Sequence, residues 1–432
     1  MEREGDKWKQ CDKDETLNIP LVREHEEIQI SGSGSNNNIV TTSFLKTCFN
    51  GLNALSGVGI LSVPYALASG GWLSLALLFS IAAVAFYTGL LMERCMEKKS
   101  NIRTFPDIGE FAFGKNGRLI VSILMYIELY LVSTGFLILA GDNLSNILPI
   151  EEFQVVGLSI GAKQFFVILV ALIILPTVCL DNLSLISYVS ASGVFASAII
   201  ILSISWTATF DGVGFHQKGD IVNWNGIPTA VSLYAFCYCA HPVFPTLYNS
   251  MRNKHQFSNV LIVCFILTTA SYASMAIIGY LMFGSNVESQ VTLNLPLNKL
   301  SSKIAIYTTL VNPIAKFALM ATPITNALKE LVGRTYKNNR VTNIFVSTLL
   351  VVSNVIVALS IPYFGSLMSL VGAFLSATAC ILLPCLCYLK ISGNYRKLGF
   401  ETVTIVMIVL VAIVMGVSGT YISIVEIIQN LK

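Results

Sequence analysis

Charge is what this sequence has least of. Of 432 residues, 12% are charged and 54% are hydrophobic, and the formal net charge is +3. A soluble chain of this length needs more charge to cover its surface. The composition therefore points to a chain that crosses a membrane many times. Other absences narrow the function. A net charge this small, with no basic-aromatic patch, gives no reason to expect a nucleic-acid partner. There is no P-loop and no zinc-spaced Cys/His set, so neither a cofactor nor a metal is expected. None of the ten cysteines forms a CxxC pair, and most stand in apolar stretches. They read as buried thiols acting as small hydrophobes rather than as disulfides or metal ligands. No paired carboxylates appear in the apolar stretches, which argues against an intramembrane enzyme. No signal peptide is recognised: residues 1–43 are polar, mixed in charge and end in SGSGSNNN, so a disordered tail is expected there.

What is present is a succession of apolar runs of about 20 residues, the length a membrane helix needs. Eleven are read, over residues 44–69, 72–93, 119–141, 164–181, 184–208, 227–250, 257–283, 304–328, 342–361, 364–389 and 403–427. Lys and Arg collect in four intervening loops. They are Arg94, Lys98, Lys99, Arg103, Lys115 and Arg118; Arg252 and Lys254; Lys329, Arg334, Lys337 and Arg340; and Lys390, Arg396 and Lys397. Eleven spans with a cytosolic N-terminus put all four loops in the cytosol, as the positive-inside rule requires. The C-terminus then lies in a lumen or outside the cell. Residues 142–163 and 209–226, on the opposite side, are poor in these residues.

Two spans carry their own breakers. The first contains NALSGVGILSVP, in which Ser56-Gly57-Val58-Gly59 is easily unwound and Pro64 lacks an amide donor. The sixth contains AFCYCAHPVFP, with His241, Pro242 and Pro245 at mid-depth. Non-helical backbone inside a bilayer is tolerated only against protein or a wet cavity. Taken singly, the first break can be a packing notch and the second a proline kink. As a pair, heading two five-helix halves, they predict an inverted-repeat transporter with its site between the halves and an eleventh helix at the periphery. The amides of Ser56, Gly57, Val58, Gly59 and Ile60, with Asn53 nearby, are the candidate site for a carboxylate, because a half-helix N-terminus favours an anion. The carbonyls of Phe236, Cys237, Tyr238, Cys239 and His241 are the candidate site for an ammonium.

At these residues the sequence resembles the amino acid/auxin permease family, and most closely its vacuolar amino acid transporter branch. The likeness is carried by NALSGVGILSVPYALASGGW, LYLVSTGFLILAGDNL, AFCYCAHPVFPTLYNSM and LVNPIAKFALMATPI, and it covers residues 40–428. The resemblance implies the fold of the amino acid–polyamine–cation superfamily: an all-α membrane protein with five-plus-five inverted (LeuT-like) repeats and one further helix, in a transporter domain of residues 44–428. It implies secondary transport of neutral amino acids linked to protons, in the vacuolar membrane, with the plasma membrane as the alternative. A monomer in the lipid bilayer is expected.

Ionisable groups deep in a span are functional candidates by default. Glu128 lies mid-span in MYIELYL, Lys316 in NPIAKFAL and His241 at the second break. Desolvation disfavours a charged carboxyl, which makes Glu128 the candidate carrier of a coupled proton; a structural ion pair is the alternative. Sodium-coupled members of the superfamily build an ion site between the first break and the eighth span. Lys316 can place a fixed ammonium there, near Asn53, in the ion's stead, or can instead extend into a cytosolic vestibule. His241 is read as a neutral imidazole capping freed backbone, with a proton relay as the alternative. Tyr126, Tyr130 and Tyr238 can line the cavity or pack in the core. The competing functions are an amino-acid sensor of the same fold, a sodium-coupled transporter and a channel. A channel needs a repeated pore element or a charged ring, and neither is visible.

Overall fold

The computed structural model describes residues 42–99, 101–155, 158–179, 186–332, 340–393 and 399–431. Residues 1–41, expected to be a tail, lie outside the described residues, as do Arg334, Lys337, Arg396 and Lys397 of the basic loops. Among the described residues the regular structure is helical apart from one antiparallel hairpin, β1 (Phe153–Val155) with β2 (Leu158–Ile160). Among the described residues ten helices are long and apolar enough to cross a membrane.

The first apolar stretch is not one of the ten, and it is broken. It forms α1 (Phe44–Leu55), a tight 3-10 turn at Val58–Leu61 and α2 (Val63–Gly70). Then come α3 (Ser74–Lys98), α4 (Phe105–Ile147), α5 (Ala162–Cys179) and α6 (Ile186–Phe210). A second break separates α7 (Ile227–Cys237) from α8 (Phe244–Ser250), with a 3-10 turn at His241–Val243. The remainder is α9 (Phe257–Phe283), α10 (Leu300–Val332), α11 (Arg340–Ser360), α12 (Phe364–Leu370), α13 (Leu383–Ser392) and α14 (Phe400–Leu431). Between α12 and α13 the chain stays helical but widens into π turns over Val371–Ser376 and Thr378–Leu382. Such bulges are rare and gather at functional sites.

Two elements differ from the reading of the sequence. The stretch 94–118, taken as a loop, is largely helix from Phe105 onward. Pro106 suits the first helical turn, and the Asp107 carboxylate accepts from the amides of Arg103 (3.0 Å) and Thr104 (2.8 Å), so the helix starts well before the apolar run. Asp107, Glu110, Lys115 and Arg118 hide this start from any search for apolar length. The hairpin at 153–160 was likewise not read.

Aromatic side chains at the centre bind the two broken segments to α9. Tyr238 stacks on Phe265 at 6.0 Å and meets Tyr272 edge-on at 5.6 Å. Both tyrosines are fully buried. α14 lies at the periphery, with Val414, Val417 and Tyr421 each about two-thirds exposed on its outer face.

One end of the bundle is closed by the connection between α9 and α10. Val287, Gln290, Val291, Thr292 and Leu295 are buried. Gln290 donates to Asp142 (2.8 Å) and accepts from Asn143 (2.6 Å), while Lys163 pairs with Asp142 at 2.5 Å. Lower in the bundle, the buried Asn354 of α11 accepts from Ser133 (3.3 Å) and Thr134 (2.7 Å) of α4. Interhelical hydrogen bonds in membranes average about 0.6 kcal/mol, because the separated helices find other partners. Asn354→Leu should therefore cost no more than about 1–2 kcal/mol in reversible unfolding in mixed micelles. A larger loss would show that Asn354 does more than join two helices.

Candidate functional site

The two breaks face each other. At the first, Ser56 N donates to Leu52 O (2.6 Å) and Gly57 N to Leu55 O (2.9 Å). These two amides, expected to be freed, are engaged within the chain, as is that of Ile60, which donates to Gly57 O (3.5 Å). Val58 and Gly59 head the 3-10 turn, where the first amides of a helix have no partner of their own; the anion-binding capacity of this break rests on them. Gly57 is extended at φ −100, a conformation open to any residue, and a Cβ there would meet nothing within 4 Å. Gly59 is different: a Cβ would lie 2.7 Å from Cys237 Sγ and 3.3 Å from Cys237 Cα. Glycine at 59 is what lets the two breaks touch, whereas glycine at 57 keeps a space empty.

At the second break the carbonyls of Phe236, Tyr238 and Ala240 accept from Cys239 N (3.2 Å), Ala240 N (3.0 Å) and Val243 N (3.0 Å). The tie between the breaks is a residue that no motif marked. The Tyr272 hydroxyl, on α9, lies 2.5 Å from Leu55 O and 3.3 Å from Cys237 O. These are the last carbonyls of α1 and α7, at the negative ends of both half-helices. A phenol in an apolar helix needs a partner, and that was its one signal in the sequence.

Lys316 stands where the first break begins. Its Nζ donates to Asn53 O (3.4 Å) and Ser56 O (3.2 Å), and the residue is 6% exposed. Asn53 Oδ1 is buried and has no hydrogen-bond partner among the described residues. Gly193 on α6 forms the third wall: a Cβ there would lie 2.0 Å from Asn53 Oδ1 and 3.2 Å from Lys316 Nζ. The ammonium thus joins α10 to α1 beneath α6.

Glu128 sits at the other break. Its Oε1 accepts from Cys239 Sγ (3.0 Å) and from Ser376 Oγ (2.7 Å), and the residue is buried. Ser376 lies in the first π-helical stretch, which aims it at the carboxyl; nothing in the sequence singled it out. His241 does not cap the break. Its Nε2 lies 3.0 Å from Ala85 O and 2.9 Å from Thr88 Oγ1, both on α3. A carbonyl only accepts, so Nε2 carries the proton and the ring ties α3 to the turn. Its Nδ1 has no hydrogen-bond partner among the described residues.

The aromatic candidates separate. Tyr238 is fully buried and donates to Thr269 at 3.0 Å, so its side chain belongs to the core and not to a cavity wall. Tyr126 and Tyr130 are half-buried, and the Tyr126 hydroxyl has no partner among the described residues. Of the remaining candidates Asn53, Ser56, Gly57, Phe236 and Cys239 are half-exposed, while Val58, Gly59, Ile60 and Cys237 are buried. The nine described cysteines are all free thiols, and among the described residues no group of His, Cys, Asp or Glu is arranged to hold a metal.

A family model described as "Transmembrane amino acid transporter protein" matches residues 40–429. The chain is 62% identical over 381 residues to a protein of Arabidopsis thaliana named amino acid transporter AVT1J, covering 88% of this chain and 90% of that one. To amino acid transporter AVT1I of the same plant it is 57% identical over 410 residues, covering 95% and 100%. Amino acid transporter AVT1B is 44% identical over 392 residues, covering 90% and 72%. With one model spanning nearly the whole described chain, and transporters rather than enzymes as its relatives, the chain belongs to the amino acid/auxin permease family of membrane amino acid transporters.

Proposed function

We propose that this chain is a proton-coupled secondary transporter of neutral amino acids in the vacuolar membrane, working as a monomer with its N-terminus in the cytosol and its C-terminus in the lumen. Residues 44–428 form the transporter domain behind a tail of residues 1–43. The domain has eleven spans, the first being α1 with α2, arranged as two inverted five-helix repeats and a peripheral α14. The Val58 and Gly59 amides take the substrate carboxylate; the carbonyl ends of α1 and α7 around Tyr272 take its ammonium. Lys316 is the fixed cation and Glu128 the proton carrier.

One observation carries this reading: the two deep charged groups are divided between the breaks. Lys316 donates to carbonyls at the C-terminal end of α1, where a cation is favoured by the helix dipole. A lysine at mid-bilayer costs about 3 kcal/mol on insertion scales, and these carbonyls offset part of it. With an ammonium already there, the position has no room for a sodium ion. Glu128 touches the second break through Cys239, so a change in its protonation acts on the backbone that holds the substrate.

Radiolabelled uptake into proteoliposomes, with imposed proton and sodium gradients, tests the coupling. Uptake by the unmodified chain should follow the proton gradient and ignore sodium. Lys316→Ala should lose at least about tenfold in rate, the equivalent of about 1.4 kcal/mol, and any residual uptake should respond to sodium. Glu128→Gln should lose its response to the pH gradient and keep at most exchange between substrate pools. Full pH response in Glu128→Gln, or strict sodium dependence of the unmodified chain, would overturn the assignment.

The two glycines of the first break should fail differently. Gly57→Val fills the empty space, so transport should fall about a hundredfold or more, some 3 kcal/mol, at unchanged thermal stability. Gly59→Val drives a side chain into Cys237 and should also lower stability, by about 1–3 kcal/mol. Near-normal uptake by Gly57→Val would remove that space from the substrate path.

Selectivity should favour neutral substrates. An aspartate or lysine side chain entering the site would be desolvated without a free partner, since Lys316 and Glu128 are both engaged. Leucine, tyrosine and glutamine should compete with labelled substrate; strong competition by lysine or glutamate alone would contradict this.

A further inference from the structure

The amphipathic elbow that opens α4 stands apart from the transport site, and its chemistry fits a different ligand. Residues 105–113 form a short helix that ends at Gly114, whose φ of +71 turns the chain sharply before α4 continues into the bundle. One face is buried through Phe105, Ile108 and Ala112. Its carboxylates are neutralised inward: Arg118 pairs with Asp107 (3.1 Å) and Glu110 (2.5 Å). Outward it presents Phe111 and Phe113, 36% and 46% exposed, followed along α4 by exposed Leu119, Ile120, Ile123 and Ile127. Those last residues are the lipid-facing stripe of the helix. The phenyl rings therefore sit at the edge of the lipid belt, and the elbow lies at the level of the headgroups.

One ammonium group lies over a ring, and two further exposed lysines are close to it or to the rings in the chain. Lys99 Nζ lies 3.9 Å from the centre of the Phe111 ring, Lys98 is exposed one residue earlier, and Lys115 is exposed just past the turn. Glu97 is the acid on the same turn as Lys98. The neighbouring connection adds a cation to this end of the molecule: Asn249 donates to Ile102 O (3.0 Å), and Lys254 donates to Asn249 Oδ1 (3.0 Å). Apolar rings beside three exposed lysines, with Asp107 and Glu110 already paired to Arg118 and Glu97 offsetting only one of the three positive charges, are what an anionic phospholipid surface binds.

We propose that Lys98, Lys99 and Lys115, with Phe111 and Phe113, form a binding site for anionic phospholipid headgroups of the leaflet they face. That this leaflet is the cytosolic one rests on the orientation proposed above; the binding itself does not. The rings dip below the phosphates while the ammonium groups pair with them. The Lys99–Phe111 contact holds one ammonium group over the ring. Because the elbow leads directly into the helix that carries Glu128, bound lipid fixes the cytosolic end of that helix.

The experiment is lipid retention by the purified full-length chain, taken from micelles holding equimolar phosphatidylserine and phosphatidylcholine and read by native mass spectrometry. The unmodified chain should retain phosphatidylserine preferentially, and the preference should fall as salt rises. The triple substitution Lys98→Gln, Lys99→Gln, Lys115→Gln should lower the preference by about fivefold per lysine, with unfolding unchanged. Lys218→Gln, on an exposed lysine of another connection, should leave it intact. The salt titration on the unmodified chain stands even if the triple variant fails to fold. A preference that survives the triple substitution, ignores salt, or disappears equally in Lys218→Gln would overturn the site. Carbodiimide cross-links from these lysines to acidic residues of 1–41 would assign the patch to the chain's own N-terminal segment instead. Retention is read without transport, so failure of the coupling scheme and failure of this site are separate results.

Discussion

Backbone that leaves the helix inside hydrocarbon has to find partners for its polar groups, and this constraint shapes the centre of the molecule. An unsatisfied carbonyl or amide in that setting costs several kcal/mol. The chain breaks two helices at mid-depth, so the debt arises twice, at the C-terminal carbonyls of α1 and of α7. Tyr272 reaches both sets at once, and Lys316 takes the neighbouring carbonyls of Asn53 and Ser56. A single hydroxyl proton cannot fully satisfy two carbonyls. The site is therefore left with acceptor capacity where two helix dipoles present their negative ends, and donor capacity where Val58 and Gly59 begin the next turn. A zwitterion with its charges a few ångströms apart suits such a pair of ends.

The same geometry gives the breaks a mechanical relation. Gly59 packs directly on Cys237, so the two breaks share one contact surface. Lys316 ties the first break to α10, with α6 close above it. Glu128 ties the second to α4 and, through Ser376, to the π-helical stretch before α13. A π turn holds one residue more than an α turn and can relax to α by shifting register. The carboxyl is thus bound to the part of that helix with the least regular backbone. Protonating it replaces a charged acceptor of two hydrogen bonds with a weaker one. That change is felt at Cys239 and at Ser376 together.

The fold was largely legible because its strongest signals are long. Apolar runs located most of the helices to within a few residues, α4 with its early start excepted, and α9 coincides with its expected range of 257–283. Both breaks were visible because glycine and proline mark backbone directly. The Lys316 contact with Asn53 was legible too, since a deep lysine has few acceptors to reach. Contacts that depend on how helices rotate against each other were not. Tyr272, Ser376 and Gly193 matter through what faces them, and no spacing along the chain encodes that. For the same reason the ring of His241 turned to Ala85 and Thr88, and Tyr238 went to the core. The elbow at Phe105–Phe113 escaped because its polar residues resemble a loop until their pairing is known.

Closure at one end of the bundle rests on the connection between α9 and α10. Gln290 is fully buried and bonded to both Asp142 and Asn143, and Lys163 balances the Asp142 charge. To open there, the chain must withdraw a buried amide from two partners and expose Val287, Val291 and Leu295 to water. Breaking one of these bonds while Gln290 stays buried leaves an unsatisfied group at a cost of about 1–3 kcal/mol, whereas full withdrawal lets water satisfy both ends of the amide. The opening is therefore cooperative. Pro64 of α2 and Val291 of this connection flank the same point of α9, at Gly279, so the plug bears on the upper half of the first broken span. The lower half, α1, carries the Lys316 contact instead. The break between them, at Ser56 to Ser62, is the joint at which one half can respond to the plug while the other stays with the ammonium.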